Sequence, residues 1–269
     1  MSCIVDIEPP RDCIVRFVSD LHLGHERCEA PSVTDLAPLL QGIGMLVVVG
    51  DMAETRKSPW QERGMAAREE LRRLCSELGV QLVEISGNHD PDTPALVAKF
   101  WGGRVVAMHG HAIYKEAAPW SWEYLLHKEE CHALIATHPD ADENLESRVE
   151  LSREMCQLVP PIMRREGIRN PLLRGFMHCF WPPQRPLGII WGWLTCGRRA
   201  ERFARTFFPE AECVIFGHFH RSGRWKYGKR TLLNTGAWFR HATPYVVDMK
   251  NAELISYKNA AQLGIFQKN

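Results

Sequence analysis

The strongest strand signal in the sequence is Met45-Leu46-Val47-Val48-Val49-Gly50-Asp51, in which five apolar residues end at a glycine and an acidic residue. A continuous apolar run of this length is typical of a strand that is buried on both faces, as in a parallel sheet. Ligands of such sheets gather at the carboxyl ends of the strands, which is where Asp51 stands. The stretch therefore predicts an α/β sheet that displays a polar group at its edge.

Four further apolar runs have the same form, because each predicts a strand and each is followed by polar residues that can bind a metal. The runs are 13–18, 81–85, 104–108 and 213–216, and the residues after them are Asp20 and His22, Asn88 and His89, His109, and His218 and His220. In extended backbone, residues two apart point the same way, so Asp20 and His22 are expected to face one site. The polar residues are predicted to converge at one edge of the sheet.

Helices are predicted between these strands. Ser32 and Asp35 have the spacing of a capping box and predict a helix start, and the apolar spacing around Leu74 predicts an amphipathic helix. Thr93-Pro94 predicts the start of a short helix, since proline is tolerated at the first helical position.

The region from Lys115 to Pro209 is predicted to be a helical insertion, because it has no clear strand pattern and its helical stretches are interrupted by prolines. After the last metal-capable strand, turn residues at Gly228-Lys229 and Lys250-Asn251 predict two antiparallel hairpins. The prediction is one domain over residues 1–269 with a helical cap insertion at 115–209.

The composition excludes several classes of protein. The chain has 269 residues and a net charge of +1, so nothing global indicates nucleic acid as a stable partner. Nine cysteines, without a C-x-x-C pair, favour reduced thiols in the cytoplasm. The longest apolar run, 187–197, is too short to span a bilayer, and no signal-peptide pattern stands at the start. A cytoplasmic protein is expected, at most peripheral to the inner face of a membrane.

The polar set predicts a metal centre rather than ordinary turn chemistry, which explains each cluster singly but not all of them together. Carboxylate, imidazole and amide donors suit Mn²⁺, Fe²⁺ or Zn²⁺ and do not suit Ca²⁺. The donors are too many for one tetrahedral zinc ion, so two ions that share a carboxylate fit the set. Such pairs clamp phosphoryl oxygens during in-line displacement.

The chain resembles the calcineurin-like metallophosphoesterase family in five motif blocks that occur in the family's order. The blocks are Asp20-x-His22, Gly50-Asp51, Gly87-Asn88-His89-Asp90, His109-Gly110 and Gly217-His218-x-His220. The resemblance implies an α/β fold of the metallophosphoesterase type, an αββα sandwich of two mixed sheets with a helical cap insertion. It also implies two divalent metal ions as cofactors, with Mn²⁺ the first expectation and Fe or Zn the next.

The resemblance further implies a role for each motif residue. One metal would be held by Asp20, His22, Asp51 and His220, and a second by Asp51, Asn88, His109 and His218. His89 would contact the phosphate and protonate the leaving oxygen as a general acid. Asp90 would orient the imidazole of His89.

The insertion supplies the candidate substrate contacts. It carries five of the nine tryptophans, and between residues 161 and 208 nine arginines stand against two glutamates. Arginine beside an apolar aromatic run suits an anionic amphiphile. The candidate contacts are His111, Trp181, Trp191, Trp193 and Arg198. Alternatively, the tryptophans close the insertion's own core, the arginines solvate its outside, and His111 only lines the site.

The chain also resembles the UDP-2,3-diacylglucosamine pyrophosphate hydrolases, which have a helical cap at the same place in the chain and seat acyl chains under it. It departs from them at His89 and His111, where that subgroup usually has arginine and aspartate. The expected function is hydrolysis of a phosphodiester or pyrophosphate, with a lipid-linked or nucleotide-diphosphate substrate and contact with a membrane surface through the cap. A nuclease, a phosphomonoesterase and a non-catalytic scaffold are the alternatives.

Overall fold

The computed structural model describes residues 3–30, 32–158 and 184–264, and in them two mixed sheets pack face to face. The first sheet has the order β1-β5-β6-β7-β9-β8, with β1 Ile4–Ile7, β5 Val97–Phe100, β6 Val105–Met108, β7 Cys213–Phe216, β8 Gly223–Tyr227 and β9 Arg230–Asn234. The second has the order β11-β10-β2-β3-β4, with β2 Val15–Val18, β3 Met45–Val49, β4 Gln81–Ile85, β10 Tyr245–Lys250 and β11 Glu253–Asn259.

The strands predicted to carry the polar residues are parallel neighbours within their sheets. β2, β3 and β4 pair in parallel in the second sheet, and β6, β7 and β9 do so in the first. The hairpins β8–β9 and β10–β11 are antiparallel, as their turn residues predict. The carboxyl ends of the parallel strands therefore come together at one edge of the sandwich.

The core explains the continuous apolar run Met45–Val49. One side of β3 meets the other sheet across an interface where Phe17 packs edge-on against Phe100, with ring centroids 5.2 Å apart. Its other side meets the 3₁₀ helix Val33–Leu40 and helix α1, Gln61–Glu77. All five residues of β3 are buried because both faces are covered. With helices also outside the first sheet, the αββα sandwich is confirmed.

The described parts of residues 115–209 contain helices and no strand, as predicted. The helices are α2 Trp122–Leu126, α3 Lys128–Ala136, α4 Leu145–Leu158 and α5 Gln184–Phe207. The candidate contact Trp181 lies outside the described residues, and the bounds of the insertion stay a prediction. Within the described ranges, no helix is long and apolar enough to cross a membrane.

The short helix predicted at Thr93-Pro94 is wrong. The chain there is irregular and leads into β5, which pairs in parallel with β1. Leu96 donates its backbone N–H to the carbonyl of Cys3 at 2.7 Å, which aligns this segment with the strand from the beginning of the chain. Pairing between residues more than 90 apart overrides the local helix signal, and β1 itself was not predicted.

Candidate metal centre

The turns after the strands have left-handed backbone rather than the extended backbone assumed from the sequence. The φ angles are 52° at Asp20, 49° at His22, 52° at Asp51, 71° at His218 and 51° at His220. Each such residue costs of order 1–2 kcal/mol without glycine, and this kind of strain is concentrated at functional sites. Asp20 and His22 do approach one another, but a sharp turn brings them together.

Two glycines let these turns come close to one another. A Cβ atom at Gly87 would overlap the carboxylate of Asp51, and one at Gly217 would overlap the carboxylate of Asp20. No rotation of a longer residue avoids this, because the Cβ position is fixed by the backbone. The glycines are therefore required by the proximity of the acidic side chains.

The first group of donors is formed by Asp20, His22, Asp51 and His220, as the family resemblance implies. His220 Nε2 lies 3.2 Å from Asp20 Oδ1 and 3.2 Å from His22 Nε2. His22 Nε2 lies 3.7 Å from Asp51 Oδ2. Four donor atoms thus face a common point between three separate strand ends.

The second group is formed around Asn88 and shares Asp51 with the first. His109 Nε2 lies 3.2 Å from Asp51 Oδ2 and 3.1 Å from Asn88 Oδ1. His218 Nδ1 lies 2.9 Å from the same amide oxygen. The structure therefore brings together all seven residues predicted as ligands, with Asp51 between the two groups.

Hydrogen bonds to carbonyl groups direct two of the imidazoles at the second donor group. His109 Nδ1 faces the carbonyl of Val49 at 3.0 Å, and His218 Nε2 faces the carbonyl of Ala117 at 3.1 Å. Each of these nitrogens carries the proton that is donated to the carbonyl, so the other ring nitrogen faces Asn88. Burial, followed by the charge on His109, lowers the pKa of His218 to about 3, so its ring is neutral and the lone pair of Nδ1 faces the Asn88 oxygen. A divalent ion between these two donors would remove that repulsion.

The histidine predicted as general acid is held by a glutamate. Glu54 Oε2 lies 2.9 Å from His89 Nδ1, while its other oxygen lies 3.0 Å from His22 Nδ1. Burial alone would lower the pKa of His89, but the carboxylates of Glu54 and Asp51 raise it to about 10. Burial likewise opposes ionisation of Glu54, yet the two imidazoles hold the pKa of its carboxyl well below the usual range. The pair is an imidazolium beside a carboxylate.

The role predicted for Asp90 is wrong. Its carboxylate accepts backbone N–H groups from Asp51 at 3.0 Å, Met52 at 2.7 Å and Gly87 at 2.7 Å, and does not bond the His89 ring. Asp90 thus shapes the turns that carry the ligands, because three amides converge on it. Sequence reasoning missed Glu54, whose only signal is a carboxylate three residues after Asp51.

A cavity of about 440 Å³ opens above the two donor groups. His89 and Asn88 form part of its floor, and residues of the helical region form much of its wall. Among the described residues, its aromatic lining consists of Trp60, Trp120, Trp122, Tyr124, Trp193 and Phe219. Arg56 and Arg185 add positive charge, and Met155 and Cys156 of α4 extend the apolar lining. The space suits an anionic group attached to an apolar or aromatic one.

The predicted substrate contacts divide into two sets. Trp193 lines the cavity and donates its indole N–H to the carbonyl of Phe219 at 2.8 Å. Trp191 and Arg198 are exposed on α5 and do not line this cavity. His111 is buried below the floor with both ring nitrogens unpaired, and burial and His109 lower the pKa of its imidazole well below the usual value. His111 is therefore neutral and does not line the cavity.

A scan of family models finds no match for the chain, and a search of curated proteins finds none either. Among solved structures, the chain is similar to a dimetal phosphatase from Danio rerio at 10% identity, covering 89% of this chain and 93% of the other, with a TM-score of 0.46. It is also similar to a cold-active protein-tyrosine phosphatase from a psychrophilic Shewanella species at 13% identity, covering 96% and 82%, with a TM-score of 0.43. Vps29 complexed with zinc from Entamoeba histolytica matches at 14% identity, covering 91% and 96%, with a TM-score of 0.42.

Proposed function

We propose that the protein is a phosphoesterase that uses two divalent metal ions to hydrolyse a phosphodiester or pyrophosphate bond. One observation carries the proposal: two donor groups share Asp51, and the His89–Glu54 pair stands beside them in the same cavity. The mixed donors favour Mn²⁺, and Fe or Zn also fits them. The motif blocks that resemble the calcineurin-like metallophosphoesterases support the same reaction. A non-catalytic scaffold has no physical need for an acid–imidazole pair that opens into a cavity.

The chain's own residues account for the steps that move protons and hold the substrate. Two divalent ions at this site would supply a nucleophile from water at neutral pH and offset the charge on the phosphate oxygens. His89 would donate its proton to the leaving oxygen as the phosphorus–oxygen bond breaks. Glu54 would keep the imidazole protonated and in place until that moment. Asp90 would hold the turns in register through its three backbone contacts.

We infer a substrate with an anionic phosphate and an apolar or planar part, such as a lipid-linked phosphate or a nucleotide diphosphate. Arg56 lies in the cavity within 3.4 Å of the Asn88 carbonyl, close to where the phosphate would sit. The aromatic residues line the same cavity as Arg56. Burial of an apolar group against it would contribute roughly 25 cal/mol per Å² of surface removed from water.

The reaction is tested with bis(4-nitrophenyl) phosphate and Mn²⁺ on purified protein. Metal-dependent release of 4-nitrophenolate is expected, together with about two Mn²⁺ per chain by mass spectrometry. A phosphomonoester, single-stranded DNA and a phosphopeptide serve as competing substrates. If kcat/KM is higher for one of these substrates than for the diester, the proposed diesterase activity is wrong and the activity on that substrate takes its place. Failure to bind metal and to cleave any of the four would overturn the proposal.

Contact with a membrane through α5 is a second part of the proposal. Leu187, Ile190, Trp191 and Leu194 are spaced along one face of the helix and are 67%, 50%, 58% and 72% exposed. The exposed arginines Arg198 and Arg202 continue this face, so apolar contact and attraction to anionic lipid would act together.

Sedimentation with vesicles tests the membrane contact. Vesicles containing phosphatidylglycerol should carry the protein down, and neutral vesicles should do so less. Replacing Leu187 and Leu194 with glutamine should abolish sedimentation while hydrolysis of the soluble diester is unchanged. Equal sedimentation of this variant and the original chain would contradict the contact.

A further inference from the structure

One buried guanidinium holds both ends of the turn that displays Asn88 and His89. Arg68 lies on α1 and is 6% exposed. On the side before the turn, its Nε donates to Glu84 Oε2 at 3.0 Å. On the side after the turn, its terminal nitrogens donate to Asp92 Oδ2 at 2.5 Å and Thr93 Oγ1 at 2.8 Å. The fork geometry of arginine allows this span, and no other side chain offers as many fixed donors.

The contacts continue from Asp92 to the segment that carries Glu54. Asp92 Oδ1 accepts a hydrogen bond from the hydroxyl of Thr55. Thr55 in turn donates its backbone N–H to the carbonyl of His89 at 3.1 Å. Thr55 directly follows Glu54, so the acid and the histidine of the pair sit on two segments that are joined at this point. Arg68 fixes the outer end of that junction.

Helix α1 also approaches the same segment through its backbone. A Cβ atom at Gly64 would overlap the carbonyl group of Glu54, so only glycine allows this approach. Gln61, at the start of the helix, donates its side-chain N–H to the Thr55 carbonyl at 2.9 Å. α1 therefore contacts the Glu54 segment directly at Gln61 and Gly64, and Arg68 reaches it through Asp92.

We propose that Arg68 is a positioning residue for the Glu54–His89 pair, and that it acts on protonation of the leaving group rather than on metal binding. This rests on the proposed phosphoesterase function. The physical reason is that Arg68 restrains the turn through Asp92 and Thr93, neither of which is a predicted metal ligand. The metal ligand Asn88 has its own contacts with His109 and His218, whereas the position of His89 depends on the turn and on Glu54.

Loss of the Arg68 side chain should leave the fold intact, because Glu84 on β4 stays paired with a second arginine, Arg72. Arg72 contacts Glu84 through two nitrogens, Nε at 2.5 Å and Nη2 at 2.8 Å. Glu84 therefore remains paired in Arg68→Met, and Asp92 is half exposed and can be solvated. Arg72 does not contact the turn, so Arg72→Met on the same helix is the matched control.

Leaving-group dependence tests the proposal. Methyl 4-nitrophenyl phosphate has a leaving group that departs without a proton, whereas the phenolate of methyl phenyl phosphate is a much stronger base and needs one. With Mn²⁺, Arg68→Met should lower kcat for the phenyl ester by about 10-fold and for the nitrophenyl ester by less than about twofold, in the same direction as His89→Ala. Arg68→Lys should be intermediate, and Arg72→Met should leave both rates within about twofold.

Three other results would contradict either the role of Arg68 or the proposed function. An equal fall in both rates in Arg68→Met, with bound Mn²⁺ and thermal stability unchanged, would overturn the positioning role. A fall in bound Mn²⁺ would overturn it as well, since the residue would then act on the metal ligands. If the unsubstituted protein cleaves neither ester, the proposed phosphoesterase function itself is wrong, and with it the role of Arg68.

Discussion

The floor and the wall of the cavity are built in opposite ways. On the floor, the ligands Asp20, His22 and His109 are fully buried and contact neighbours that fix their orientation. On the wall, α5 contributes Trp193, which is 39% exposed. The difference teaches where precision is needed. Metal ligands must be held within tenths of an ångström, whereas an apolar wall needs only the right shape.

The backbone shows the same contrast. The floor is made of left-handed turns that are stable only because neighbouring turns and the Asp90 carboxylate restrain them. The wall is regular helix, and its close contacts with aromatic rings occur where α5 has glycine, which has no side chain. A Cβ at Gly192 would lie 3.0 Å from the ring of Trp120, and one at Gly197 would lie 2.7 Å from the ring of Trp225. The four predictions that follow compare substitutions in these two regions.

The largest effect is expected on the floor, at Asp51. Asp51→Asn keeps the shape but removes the charge that both donor groups share, so activity should fall by about 10³-fold or more and bound Mn²⁺ should drop. The measurement is diester hydrolysis together with metal content. Asp142→Asn, in the exposed ion pair with Lys115, is the control and should change neither. Full activity from Asp51→Asn would remove the shared carboxylate from the mechanism.

A smaller loss of activity is expected when Glu54, the carboxylate that orients His89, is replaced. Glu54→Gln keeps a hydrogen-bond partner but not the charge that raises the pKa of His89, and kcat for the phenyl ester should fall by about 10–100-fold. Glu116→Gln removes a carboxylate from the wall of the same cavity and should have little effect. Equal losses in the two variants would mean that the cavity's overall charge, and not the contact with His89, is what matters.

A substitution in α5 is expected to lower stability through steric overlap and to leave catalysis unchanged. Gly197→Leu forces a side chain into the ring of Trp225 and should lower the free energy of unfolding by roughly 1–3 kcal/mol. Urea denaturation measures this, with Arg198→Leu at the next, exposed position as the control. Diester hydrolysis below the unfolding transition should be unchanged. Unaltered stability would show that α5 moves away from β8 without cost.

The smallest effect concerns two buried thiols, Cys75 on α1 in the core and Cys156 in the cavity wall. Burial raises the pKa of Cys75 from 9.0 to about 11 and that of Cys156 to about 12. The thiols are more acidic in the unfolded chain, so their contribution to stability is fully present below pH 9 and is lost as the pH rises above it. Urea unfolding between pH 8 and about 11 should show a slope reduced by about one proton in Cys75→Ala and in Cys156→Ala. An unchanged slope for Cys156→Ala alone would mean that solvent reaches the wall thiol before unfolding.

Much of the floor was predictable because its signals are local. Each strand and the polar residues after it are adjacent in the sequence, and the parallel arrangement requires the strand ends to meet. The partner of His89 was not predictable in this way. Glu54 and Asp90 are both acids near strand ends, and only the paths of the two turns decide which one meets the imidazole. The short helix at Thr93-Pro94 failed for a related reason, since pairing of β5 with a distant strand decided its conformation.

The sequence by itself determined the main strands, the polar residues that follow them and the helical character of the insertion, because apolar periodicity and residue chemistry act over a few residues. The two-sheet layers and the choice of seven candidate ligands came from the resemblance to the metallophosphoesterase family. The tertiary structure alone decided three further points. Glu54, and not Asp90, contacts the ring of His89; Arg68 contacts the segments on both sides of the Asn88-His89 turn; and Trp193 lines the cavity while Trp191 does not. Each of these depends on how segments far apart in the chain approach one another, which the order of residues does not specify.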